Sequence, residues 1–91
     1  THTMCSNEGV RAWEIFMARL APSIAEHLGA DLYAKVEAGQ KAWLDWREVR
    51  CGFWRDAATD AEWGKFLEAQ CRLDETGRRG LEMREMLADS F

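Results

Sequence analysis

Ninety-one residues, 47% of them apolar and 31% charged, suit one small folded domain and do not suit a disordered tail. No apolar run approaches the length of a bilayer span, so membrane insertion is not expected. The net charge of −4 argues against nucleic acid as a partner, because phosphate neutralisation needs a concentrated basic surface; it fits ordinary solubility and also accommodates a basic protein partner.

Helical periodicity dominates the chain, and almost nothing alternates as a strand would. Val10, Trp13, Met17 and Leu20 recur at steps of 3, 4 and 3, with Phe16 beside them. This stripe predicts an N-terminal helix over residues 7–20 that Pro22 interrupts. Ser23 and Glu26 then have the spacing of a capping box, which predicts a short helical turn through "SIAEHL" ended by Gly29. Asp31 can cap the next helix. From Leu32 through Val36, Gln40, Trp43, Arg47 and Cys51 to Trp54 the steps are 4, 4, 3, 4, 4 and 3, the pattern of one long helix over residues 31–56. Thr59 and Glu62 repeat the capping spacing ahead of Trp63, Phe66, Leu67, Gln70, Cys71 and Leu73. They predict a third helix over residues 60–88, with Gly77–Gly80 as the place where it can break. The expected fold is therefore all-α: a single domain, residues 1–91, forming a small antiparallel bundle, or a helix hairpin with an N-terminal helix.

Cys51 and Cys71 lie 20 positions apart, centred on residue 61 beside the expected break at Ala57 to Asp60. In an antiparallel hairpin they fall opposite one another, so their sulfurs can form a bridge. Two buried thiols satisfy the same spacing. Cys5 is left without a partner. There is no C-x-x-C, and His2 and His27 stand far from any cysteine pair, so neither a metal site nor a cofactor is expected.

No nucleophile elbow, phosphate loop or H-E-x-x-H is present, and Asp45, Glu48, Asp56, Asp60 and Glu62 alternate with Arg47, Arg50 and Arg55 as on solvated helix faces. No catalytic residue is assigned. Trp13, Trp43, Trp54 and Trp63 fall on the inward stripes and are expected to pack inside. Trp46 falls off them, which makes it the aromatic candidate for an interface, with Tyr33 second. Arg47 sits on the inward stripe, where its guanidinium needs an acidic partner from a neighbouring helix, and Gln40 needs a hydrogen bond across helices.

The constellation Gln40-x-x-Trp43-x-x-x-Arg47-x-x-x-Cys51, followed by Cys71-x-Leu73 and then Thr76 with Arg79, resembles the LprI-type lysozyme-inhibitor domain family, over most of Leu32 to Leu87. The resemblance implies a disulfide-stapled helical domain of the bacterial envelope, secreted or periplasmic, with Cys51 and Cys71 as the paired cysteines and Gln40, Trp43 and Arg47 as the signature of its long helix. It also implies a protein partner, lysozyme. The chain departs from the family pattern in having Glu48 where Asp is common, in keeping only Cys5 of an N-terminal cysteine pair, and in a long "APSIAEHLGAD" connection.

Overall fold

The computed structural model describes residues 2–88, without the side chain of His2. They form three α-helices, α1 (His2–Leu28), α2 (Ala30–Ala57) and α3 (Ala61–Glu85), with no strand among the described residues. None of these helices is long and apolar enough to cross a membrane.

The first helix does not stop at Pro22, and Ser23 caps nothing: both lie inside α1. Proline in a helix interior removes one hydrogen bond and crowds the carbonyl four residues back, at a cost of about 3 kcal/mol. Here Pro22 and Ala18 are exposed, on a side of the helix where solvent can meet the carbonyl that loses its partner. On the opposite side the apolar stripe continues past the proline, with Val10, Met17 and Ile24 at seven-residue steps and each no more than 4% exposed. Burial of that continuous stripe outweighs the local penalty.

A single residue, Gly29, joins α1 to α2. Its φ of 87° lies in the left-handed region, which a residue with a Cβ rarely adopts. Its N–H donates to Ala25 O at 3.0 Å and its carbonyl accepts from Tyr33 N at 2.9 Å, so it serves both helices. At the other turn the cap is Asp60 rather than Thr59: its carboxylate accepts from the backbone N–H of Glu62 at 2.8 Å and of Trp63 at 3.2 Å. The third helix ends at Glu85, short of residue 88, in a turn where Met86 N donates to Met83 O.

Instead of breaking at Gly77–Gly80, α3 runs through them. A Cβ on Gly80 would lie 2.6 Å from Trp13 Cε3, and one on Gly77 would lie 3.1 Å from Trp13 Nε1. The two glycines are a notch in which the indole lies. Gly80→Ala is accordingly expected to lower stability by about 1–2 kcal/mol, because overpacking against a rigid ring outweighs the roughly 1 kcal/mol gain in helix propensity. Urea unfolding measures this, and a higher midpoint for the variant would mean that the ring steps aside freely.

Contacts fix the directions. Ser6 meets Gln70 and Trp13 meets Gly77, so α1 runs parallel to α3; Gln40 meets Arg79 and Arg47 meets Thr76, so α2 runs antiparallel to both neighbours. The result is an up-down-up bundle of 47 × 22 × 18 Å. Its centre is Met17, Ile24 and Met83, with Leu20, Leu28, Tyr33, Trp43, Met86 and Leu87 packed around them. Both α1 and α2 lie mainly against α3 and much less against each other.

Candidate functional site

Because α2 repeats its inward positions every three or four residues, Gln40, Trp43, Arg47 and Cys51 form one row along it. That row faces Arg79, Thr76 and Cys71 of α3 in reverse order. The first rung is the Cys51–Cys71 disulfide, with a Cα–Cα distance of 5.4 Å, and Cys51 has no exposed surface. At the second, Arg47 Nη1 donates to Thr76 Oγ1 at 3.1 Å. The Thr76 hydroxyl in turn donates to Arg72 O, and the residue is fully buried. At the third, Arg79 Nε donates to Gln40 Oε1 at 2.8 Å, while Gln40 Nε2 donates to Met17 Sδ of α1 at 3.9 Å. Arg79 also pairs with Glu82.

Arg47, 4% exposed, is the hub of this ladder. Its guanidinium carbon lies 5.1 Å from the Trp43 ring centroid, and Glu48 Oε1 accepts from its Nε at 3.2 Å and its Nη2 at 2.9 Å. The acidic partner from a neighbouring helix is Glu14 of α1, at 3.5 Å. Gln40, Trp43, Arg47, Thr76 and Arg79 of the family constellation thus come together, and each polar one is engaged by another part of the fold. An open groove of about 440 Å³ between α1 and α2 is lined by Met17, Tyr33, Val36 and Leu44, with Gln40 at its side. The Gln40 amide is already bonded, and Arg47 does not line the groove.

The surface candidates separate. Trp46 is 47% exposed, with the Arg50 guanidinium 5.7 Å from its ring centroid. Tyr33 instead is half-buried against the core cluster. Two tryptophans expected inside are not there: Trp54 and Trp63 are 41% and 55% exposed. They flank the α2–α3 turn, and the described part of α1, which meets α3 at Gln70 through Ser6, does not extend over it. Trp54 meets Phe53 edge to face at 5.3 Å, and Trp63 stacks on Phe66 at 5.1 Å. Sequence reasoning also passed over Val49 and Phe53, which are 78% and 60% exposed. With Trp46 they stand at steps of 3 and 4 on the side of α2 away from Arg47 and Cys51, a spacing that was visible in the sequence.

Cys5 is an exposed thiol. His27 Nε2 lies 3.2 Å from Ala88 O at the end of α1, while the His2 side chain falls outside the described residues. Among the described residues no group of three or more His, Cys, Asp or Glu side chains is placed to hold a metal ion. Near the α2–α3 turn, Arg55 hydrogen-bonds Asp56 and holds its carboxyl below the usual aspartate range, while Asp56 and Glu68 together raise Arg55.

No curated protein and no solved structure matches the chain significantly. A family model does: that of the lysozyme inhibitor LprI family matches residues 1–83. The match takes in α1, α2 and α3 as far as Met83, and so holds both bridged cysteines and every residue of the ladder. The three-helix framework stapled at Cys51–Cys71 belongs, with the chain that builds it, to the lysozyme inhibitor LprI family.

Proposed function

We propose that this chain is a non-enzymatic binding domain of the bacterial envelope that inhibits lysozyme. The observation that carries the reading is the family match across all three helices. Its signature residues are spent on one another, which leaves recognition to the outward surface. The disulfide supports an exported location, since such bonds persist in oxidising compartments.

The surface that fits a protein partner best is the outward stripe of α2, Trp46, Val49 and Phe53, an apolar strip bordered by Asp45, Glu48 and Asp56. A net charge of −4 complements a cationic lysozyme and speeds encounter at low salt. Immobilised lysozyme should bind never-reduced protein, with association slowing as salt rises. Phe53→Ala should weaken binding by about tenfold or more, as loss of an aromatic anchor does, with no change in melting temperature. Absence of binding at every salt concentration would reject the lysozyme reading. The same stripe would then support the alternative, a helical adaptor domain that docks another envelope protein or peptide.

A further inference from the structure

One carboxylate of α3 is neither a surface charge nor part of the ladder. Glu75 is 8% exposed and lies between α2 and α3, where among the described residues it forms ion pairs with Arg50 Nε at 3.5 Å and Arg78 Nη1 at 3.6 Å. Both separations exceed ordinary hydrogen-bond length. Among the described residues no hydrogen bond is donated to it, and its carboxylate opens onto the clefts beside it. It lines two adjoining clefts, of about 250 Å³ and 230 Å³, that share Glu75 and Arg78 as their common wall. Trp54 and Arg50 line the first, and Trp43 and Trp46 line the second.

The clefts therefore form one furrow beside α2, walled in turn by Trp43, Trp46, Arg50 and Trp54. At 1.5 Å per residue these positions span about 16 Å, room for a few linked rings. The charges bordering it balance, with Arg50, Arg78 and Arg79 set against Asp74, Glu75 and Glu82. A polyanion meets three carboxylates there, and a polycation meets three guanidinium groups. A neutral ligand meets donors, acceptors and aromatic faces together.

We infer that this furrow binds a neutral oligosaccharide. A pyranose ring has an apolar C–H face that packs on an indole and a rim of hydroxyls that both donate and accept. Trp54 and Trp46 supply the faces, Glu75 accepts from a ring hydroxyl or an N-acetyl N–H, and Arg50 and Arg78 donate to ring oxygens. An extended peptide would satisfy the polar groups as well, but it does not use successive aromatic faces along one helix. The site shares Trp46 with the outward stripe but not Val49 or Phe53, and its test does not depend on whether lysozyme is inhibited.

The test contains no lysozyme. Triacetylchitotriose and cellotriose, both neutral trisaccharides, are titrated separately into never-reduced protein followed by amide and indole NMR signals. Saturable shifts are expected at the Trp46 and Trp54 indole N–H and at the amides of residues 74–78. Glu75→Gln should weaken binding by about tenfold, through loss of a charge-assisted hydrogen bond. Trp54→Ala, at an exposed position that does not endanger folding, should weaken it by a similar factor of about ten. If neither sugar shifts these signals at millimolar concentration, or if both variants bind as the parent does, the inference is overturned. Shifts confined to the α1–α2 groove overturn it as well.

Discussion

Cys51→Ala with Cys71→Ala is expected to lower the unfolding free energy by about 3 kcal/mol, the entropy that a bridge closing a loop of this length removes from the unfolded chain. The two positions are 20 residues apart and join α2 to α3 beside the turn at Ala58 to Asp60. For a domain of this size, whose whole stability is of the order of 5–15 kcal/mol, that is a large share. The double replacement is preferred to reduction because it leaves no buried thiol to re-form the bridge, and Cys51 has no exposed surface. Urea unfolding of the never-reduced parent and the variant gives the difference directly. A loss below about 1 kcal/mol would mean that the unfolded chain already holds these segments together without the bridge.

Arg47→Ala comes next, with an expected loss of about 2–3 kcal/mol. Removing one member of a buried ion pair often costs more, because the other charge is stranded. Here the stranded groups have an escape: Glu14 and Glu48 are 46% and 53% exposed, and the Thr76 hydroxyl keeps its bond to the Arg72 carbonyl. What remains is the cavity under Trp43 and the lost contact of the arginine stem with its neighbours. Arg47→Met separates the two contributions. It refills most of the volume and should recover at least half of the loss, which differential scanning calorimetry can read. A methionine variant as unstable as the alanine one would place the energy in the guanidinium contacts instead.

The long-helix pattern was legible because an α-helix maps sequence spacing onto one face almost without error. Gln40, Trp43, Arg47 and Cys51 fall in one row, and they meet Cys71, Thr76 and Arg79 in the order that an antiparallel pair requires. Periodicity was overruled at Pro22, where a local rule about proline was wrongly set above the continuing stripe through Ile24. It also failed at Trp54 and Trp63, because spacing tells which side chains share a face and not how far a neighbouring helix extends over it. Gly77 and Gly80 read as weaknesses until the Trp13 ring appeared over them. Glu75 was hidden for a different reason. An acidic residue among arginines looks like a solvated surface, yet it stands four positions after Cys71 and four before Arg79, on the face that α2 covers.

The proposed division of labour, a framework of mutually bonded signature residues inside and recognition on the outer face of α2, is tested most directly by inhibition itself. Lysozymes of several types would be followed by clearing of a cell-wall suspension, with never-reduced parent and Phe53→Ala protein compared at low and physiological salt. The parent should slow clearing in proportion to its concentration and more strongly at low salt, while the variant, equally stable, should need roughly ten times as much for the same effect. No slowing with any lysozyme type at low salt, or equal potency of the two proteins, would contradict it.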